Sequence, residues 1–391
     1  MNSDTIKIFT RKEDCCGCST CMTVCPKDAI SMKPDEKGFL YPEIDNAKCV
    51  KCGLCVKNCA FQNGYKTPEN FETPLVYAVK HRNPDERKTS RSGGMFIAAA
   101  DWILSKDGVI YGAGYGNNFY VMHKRADNKE TLFDFKGSKY VQSDMNTIFR
   151  QVIDDLKNDR YVLFSGTPCQ TAGLYSCMKN VNTDKLYVCD LVCHGTPSPY
   201  VWRDYLKFSE KRYKSKVVKT DFRDKKFGWN THIESLWFEN GKKISSQLYT
   251  KLFYKHIMFR PSCGNCKYTN TRRPGDFTIA DFWGIEKAVP GFDDNKGVSL
   301  VFLNTEKGRE LFETVSDNIE FKSSCLKDCM QHNLKAPSVI SDQTGAFWKD
   351  YLENGFEFAA KKYGTLNFKD ETKFKLKLRL KPVLKKLGLK K

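Results

Sequence analysis

The chain has 391 residues, of which 40% are hydrophobic and 28% charged, with 17 cysteines and a formal net charge of +18. That length holds a small domain and one or two larger ones; its longest apolar stretch, residues 95–100, is far too short to cross a bilayer, and residues 1–10 lack the apolar core of a signal peptide. A long, cysteine-rich chain without an export signal argues against a disulfide framework and is expected in a cytoplasmic setting.

Residues 1–66 carry one cysteine spacing twice: Cys15-x2-Cys18-x2-Cys21-x3-Cys25-Pro26, then Cys49-x2-Cys52-x2-Cys55-x3-Cys59-Ala60. Zinc ligands also come as C-x2-C pairs, but there two pairs serve one metal, whereas each run here has three cysteines at spacing three and a fourth at spacing four. This is the run of a bacterial two-cluster ferredoxin, in which three close thiolates grip one [4Fe-4S] cubane and the fourth reaches the other. Cys15, Cys18, Cys21 and Cys59 are therefore expected at one cluster, and Cys49, Cys52, Cys55 and Cys25 at the second. Ala29, Ile30 and Val56 supply apolar filler, and Ala60 stands where a second proline is usual. Cys16 falls outside the spacing and reads as a spare thiol. Such clusters move single electrons, so this end of the chain reads as a wire.

The net charge invites a nucleic-acid reading, but residues 373–391 hold nine Lys and Arg and no acid, half the excess, and cubanes with four thiolates are themselves anionic. No RNA-binding motif is present, and no nucleic-acid partner is expected. The mildly basic body suits an acidic electron donor or a phosphorylated substrate.

A polar linker with Pro68 and Pro74 follows the first module. Beyond it the apolar patterning predicts a strand at 76–80, a helix at 95–104, a strand at 109–115, an amphipathic helix at 146–157 and a buried strand at 161–164. A strand at 186–192, a helix at 199–208, and a hairpin of 233–238 with 243–246 around Glu239-Asn240-Gly241 come next. Strands at 277–282 and 298–303 and helices at 306–315 and 347–363 complete the series. This alternation implies an α/β (α+β) main domain with a mixed, mainly parallel sheet, beside the small bacterial-type ferredoxin domain. The expected spans are 1–66, 75–160, 161–345, and 346–391 for a last helix and basic tail. In that tail Leu380, Val383, Leu384 and Leu387 follow helical spacing around Pro382, which fits either a basic amphipathic helix on an anionic membrane surface or a disordered solubilising tail.

Four further cysteines sit at element edges: Cys169 and Cys193 just past expected strands, and Cys263 with Cys266 in one short loop. The carboxyl ends of parallel strands are where α/β sheets build sites, so a third cluster is one reading and buried small hydrophobes the other. Cys177, Cys189, Cys325 and Cys329 have no partners at useful spacing and read as structural.

Ser92-Gly93-Gly94, Gly137-Ser138-Lys139-Tyr140-Val141, Gly166-Thr167-Pro168-Cys169-Gln170, Cys193-His194-Gly195, Phe222-Arg223-Asp224-Lys225, Arg260-Pro261-Ser262-Cys263 with Cys266, and Asp281-Phe282-Trp283-Gly284 resemble the coenzyme F420 hydrogenase/dehydrogenase beta-subunit family. The blocks run in family order over residues 75–345. The resemblance implies FAD and one [4Fe-4S] cluster in this region, with Cys169, Cys193, Cys263 and Cys266 at the family's cluster positions. It implies exchange of electrons with a two-electron carrier or substrate, in some relatives the deazaflavin coenzyme F420. Flavin suits the task because clusters carry one electron whereas most organic reductions take two.

Ser92, Gly93 and Gly94 can offer a helix start to the FAD pyrophosphate, or form a plain N-cap turn. Lys139 and Tyr140 offer a cation and a donor, or a solvated loop, and Thr167 and Gln170 flank a cluster cysteine. His194 can donate a proton near neutral pH or hydrogen-bond cluster sulfur. Arg223, Asp224 and Lys225 either grip an anion or form a solvated turn, and residues 281–284 wall a flavin or the core. The expected function is a flavin-dependent iron-sulfur oxidoreductase taking electrons from a ferredoxin or other redox protein, through clusters, to FAD and a small-molecule or lipid-linked acceptor. The alternative is a non-catalytic electron-transfer subunit docked on a separate catalytic protein.

Overall fold

The computed structural model describes residues 6–65, 69–366, 372–374 and 376. Each cysteine run folds as a tight turn followed by one short helix. Ser19 (φ 68°) precedes the helix Thr20–Thr23 and Gly53 (φ 73°) precedes Leu54–Lys57, and these left-handed residues aim successive thiols inward. The strands β1 (Ile30–Pro34) and β2 (Leu40–Ile44) pair antiparallel between the runs, with Ile30 opposite Ile44.

The main sheet is built from β3 (Asn70–His81), β4 (Val109–Tyr115), β5 (Val121–Ala126), β6 (Val162–Gly166) and β7 (Leu186–Leu191). A separate antiparallel sheet takes β8 (Val217–Asp221), β9 (Glu234–Phe238) and β10 (Lys243–Ser246) in the order β10-β9-β8. The chain then returns to the main sheet with β11 (Phe277–Asp281), β12 (Ser299–Thr305) and β13 (Ile319–Ser324), giving eight strands in the order β13-β3-β12-β11-β7-β6-β4-β5. The sheet is mixed, and its parallel pairs form the centre, β11-β7-β6-β4, where helices make the crossovers. The outer pairs are antiparallel.

Both faces of that centre are covered. Helix Met95–Ser105 packs Ile97, Ala98 and Ile103 against Val79, Ile110, Leu163 and Val301. On the other face helix Ile148–Lys157 sets Phe149 and Val152 against Val109, Val162, Phe164 and Val188. Val162, Leu163 and Phe164 are each 0% exposed, which explains why β6 reads as an unbroken apolar run. Burying each such side chain is worth about 1.5–3 kcal/mol.

The expected linker around Pro74 is corrected: Pro74 lies within β3. β13 pairs with β3 only from Val76 onward, and the β12 ladder is irregular between Leu303 and Thr305, so the missing N–H of Pro74 breaks no regular pairing. The first module is seated on the main domain. Thr20 Oγ1 donates to the Gly173 carbonyl (2.9 Å), Arg150 to that of Met22 (3.0 Å), Ser198 to that of Lys37 (2.5 Å), and Leu40 N–H to Gln142 Oε1 (3.2 Å). No helix among the described residues is long and apolar enough to cross a membrane. The amphipathic tail expected at 373–391 lies outside the described residues apart from 373, 374 and 376.

Candidate iron-sulfur and cofactor site

The cysteines gather in the sets that spacing and resemblance predict. Cys21 has Cys18, Cys15 and Cys59 as its electrostatic neighbours, Cys55 has Cys52 and Cys25, and Cys193 has Cys263, Cys169 and Cys266. The third set is assembled by strand ends. Cys169 opens the helix Pro168–Cys177 after β6, and Cys193 follows β7 by two residues. Cys263 lies in the 3-10 turn Pro261–Asn265, and Cys266 caps that turn. The segment after Cys266 is fastened to β7 by the fully buried pair Arg273–Asp190 (2.8 Å), while Asp190 also accepts the Gly275 N–H (2.9 Å).

Around the sulfurs stand donors suited to thiolates. Thr196 N–H donates to Cys263 Sγ (3.3 Å), Ala29 N–H to Cys25 Sγ (3.3 Å), and the Thr167 hydroxyl lies 3.2 Å from Cys169 Sγ. Burial pushes the thiols of Cys263 and Cys266 up to about 11 and about 12, so they ionise only when a metal takes them. Among the described residues no group of three His, Cys, Asp or Glu forms a single-ion site. A cubane spreads its four thiolates around a cage and needs no such convergence. The hydroxyl of Tyr268 is buried without a hydrogen-bond partner and faces Cys16, Cys18, Cys169 and Cys266, an orphan donor where cluster or thiolate sulfur fits.

Cys16 is not a spare thiol. It hydrogen-bonds with both Cys18 and Cys169, and packs with Cys59 and Cys266 on the apolar floor of Ala60, Phe61, Ala172 and Tyr268. It therefore lies between the first and third cysteine sets. The approach is tight: a Cβ on Gly173 would stand 2.7 Å from Thr20 Oγ1 and 3.0 Å from Cys18 Sγ. Its repeat-breaking position in the sequence gave no sign of this role.

A cavity of about 340 Å³ opens beside Cys16, Cys169 and Cys193 and extends to Ser92, Gly94, Met95 and Phe96 at the start of helix Met95–Ser105, within the range of small-molecule sites. The first N–H groups of a helix have no partner within it, and here they stand at the cavity wall. The buried Nε of Arg91, another lining residue, also has no hydrogen-bond partner. Ser92 donates its hydroxyl to the Val298 carbonyl (2.6 Å) and Gly93 N–H donates to Ser299 Oγ (2.9 Å). A Cβ on Gly93 would come 2.0 Å from the Val79 carbonyl, and Gly94 has φ 96°. The triplet thus packs the helix start against β3 and β12, leaving backbone N–H groups as its means of holding an anion.

Lys139 lines the cavity, but its ammonium donates to the carbonyls of Asp134 and Lys136, and burial pushes it down to about 8. The Tyr140 hydroxyl accepts from Arg223 (3.3 Å). Thr167 and Gln170 form a capping box, Thr167 N–H donating to Gln170 Oε1 (2.9 Å) at the cavity edge.

Residues 223–225 are not a solvated turn. Arg223 is 3% exposed and pairs with Asp281, Asp224 pairs with Lys243 (2.5 Å), and Lys225 donates to the carbonyls of Arg87, Ser92 and Lys296. Burial, then Arg91, pushes Lys225 down to about 7. Trp283 lines the cavity and stacks on Trp229 (5.5 Å, 4°).

The near-neutral basicity expected for His194 is corrected. Burial, then His256, pushes it down to about 4. His256 Nδ1 must donate to the Val339 carbonyl (2.9 Å), so its Nε2 accepts from His194 Nε2–H (2.8 Å). His194 at the cavity is therefore a neutral imidazole. Cys177, Cys189 and Cys329 are buried and Cys325 is exposed, each outside these groupings.

Residues 14–63 match a 4Fe-4S dicluster domain, and residues 159–327 match the carboxyl terminus of the coenzyme F420 hydrogenase/dehydrogenase beta subunit. The chain is 23% identical over 322 residues to a subunit of the F(420)H(2) dehydrogenase of Methanosarcina mazei, covering 78% of this chain and 83% of the relative. An uncharacterized ferredoxin of Methanocaldococcus jannaschii is 31% identical over 86 residues, covering 22% of this chain and 97% of that protein. Among solved structures, a chain of the F420-reducing [NiFe] hydrogenase complex from Methanosarcina barkeri superposes with a TM-score of 0.46 at 16% identity, covering 76% of this chain and 94% of that one. The chain belongs to the coenzyme F420 hydrogenase/dehydrogenase beta-subunit family, with a dicluster iron-sulfur ferredoxin module fused ahead of its beta-subunit domain.

Proposed function

We propose that this chain is an iron-sulfur flavoprotein oxidoreductase that carries electrons from a ferredoxin-like donor, by way of [4Fe-4S] clusters, to FAD and a two-electron acceptor. The observation that supports it is the succession of cysteine sets from surface to cavity: Cys52 is exposed, Cys18 and Cys21 are buried, Cys16 joins Cys18 to Cys169, and Cys169 and Cys193 line the cavity. When bound, the clusters supply single-electron transfer and FAD the exchange between one- and two-electron chemistry.

Cys15, Cys18, Cys21 and Cys59 would hold one cluster, Cys49, Cys52, Cys55 and Cys25 the second, and Cys169, Cys193, Cys263 and Cys266 the third. The N–H groups at the start of helix Met95–Ser105, with Arg91 beside them, suit the FAD pyrophosphate. Tyr140, Thr167, Gln170 and Trp283 would wall the flavin. His194, neutral near pH 7, would orient a polar group through its second ring nitrogen. At the outer end, Val50 (56% exposed) and Leu54 (37%) surround exposed Cys52 beside Lys48, Lys51 and Lys57, a face suited to an acidic donor protein.

The acceptor in this reading is a deazaflavin such as coenzyme F420 or another two-electron carrier, and the setting is cytoplasmic, with membrane-surface contact through 373–391 if the acceptor is lipid-linked. The M. mazei relative belongs by name to a multi-subunit dehydrogenase, which favours a second reading: an electron-transfer subunit docked on a separate catalytic protein. Anaerobic purification with iron and flavin quantification tests the proposal. About twelve irons with one FAD per chain is expected; about eight irons without flavin would leave only the ferredoxin module and overturn it.

A further inference from the structure

Arg260 is 1% exposed, yet among the described residues it has no carboxylate partner. Other deeply buried arginines do: Arg273 pairs with Asp190, Arg223 with Asp281 and Arg87 with Asp294. The Arg260 guanidinium instead donates from Nε to the Cys15 carbonyl (2.8 Å), from Nη1 to Gln142 Oε1 (3.2 Å), and points Nη2 at Cys15 Sγ (3.6 Å). It lies over the Tyr41 ring (4.1 Å) and toward Phe39 (5.8 Å). Its neighbours are thus neutral amides and carbonyls, aromatic faces, and cysteines. A buried, uncompensated charge is strongly destabilising. The anions within its electrostatic reach are thiolates of Cys15 on one side and of Cys169 and Cys263 on the other.

We propose that Arg260 is the buried counter-cation of the inner clusters, raising the reduction potential of the Cys15-Cys18-Cys21-Cys59 cluster above that of the outer Cys49-Cys52-Cys55-Cys25 cluster. The inference rests on the three-cluster reading above and adds a direction to it. A cluster gains one negative charge on reduction, so a fixed cation in a dry, low-dielectric setting favours its reduced form. Arg260 faces the inner set, whereas the outer set includes exposed Cys52, where water screens its field. The gradient draws an electron inward from the surface cluster. Arg260 also carries the turn that presents Cys263, since Cys263 N–H donates to its carbonyl (3.0 Å). It is a positioning residue, touching ligands rather than substrate.

The test is anaerobic redox potentiometry of the full chain, followed by the paramagnetic signals of the reduced clusters, with iron counted on the same samples. In Arg260→Gln one midpoint is expected to fall by at least the equivalent of a tenfold change in the reduced-to-oxidised ratio, 59 mV for one electron, while the others move less. Arg260→Lys should restore most of the shift. Gln142→Glu keeps the arginine but sets a carboxylate 3.2 Å from Nη1, and should lower the same midpoint. Midpoints unchanged in Arg260→Gln or Gln142→Glu at full iron content would overturn the inference. If Arg260→Gln loses iron, retention by Arg260→Lys supports a need for the charge, and equal loss in both overturns it. Low iron in the unsubstituted chain would instead defeat the three-cluster reading.

Discussion

Cys263 and Cys266 stand three residues apart in one short turn, facing Cys169 and Cys193 from two strand ends. Replacing Cys263 with Ala is expected to lower anaerobic iron content from about twelve to about eight per chain, leaving the ferredoxin-module signals; unchanged iron would remove the third cluster. A second residue-level outcome concerns pH. His123, 1% exposed, accepts from Ser143 (2.7 Å) and donates Nε2–H to the Ser165 carbonyl (3.0 Å), and burial pushes it from 6.5 down to about 4. Between those values the unfolded chain binds the extra proton and the folded one does not, so stability rises with pH there. Acidification from pH 6.5 to 4 should therefore cost about 3 kcal/mol through this group. His123→Gln should lose less stability over that window in urea titrations; parallel pH profiles would contradict the assignment.

At the scale of elements, the start of helix Met95–Ser105 depends on Gly93. A Cβ there would meet backbone on both sides, the Val79 carbonyl at 2.0 Å and Ser299 N at 2.5 Å, and neither strand can yield cheaply. Gly93→Ala is expected to destabilise by about 3 kcal/mol or prevent folding, read from the urea midpoint; a change within 0.5 kcal/mol would contradict the packing account. The helix itself was legible as an apolar run, as was β4, whose predicted and observed residues coincide at 109–115. β13 was not, because it is a sheet edge with Glu320, Phe321, Lys322 and Ser323 exposed, so no alternation marks it. β3 was shortened by Pro74, which reads as a breaker unless its irregular pairing is known. The cysteine sets were legible because metal spacing is local for eight of them, while the third set needed family motifs to link three distant segments. Cys16 and Arg260 stayed hidden: one lies outside the repeat, and the other is a buried cation whose partners come from residues 15 and 142.

For the molecule as a whole, the ferredoxin module is part of the main domain's packing. Removing residues 1–69 would strip Cys15 from Arg260, Thr20 from Gly173 and Leu40 from Gln142. The shortened chain is expected to melt well below the full one or to aggregate; an equal melting temperature by circular dichroism would show a separable module. The central claim is a continuous electron route from that module to the cavity. Stopped-flow mixing of the anaerobic, flavin-loaded chain with reduced ferredoxin, followed at the flavin absorbance, tests it most directly. Flavin is expected to bleach in the unsubstituted chain. In Cys263→Ala, bleaching by ferredoxin should slow at least a hundredfold, about 2.7 kcal/mol, while a small chemical reductant still reduces the flavin. Bleaching at the unsubstituted rate in that variant would contradict the route.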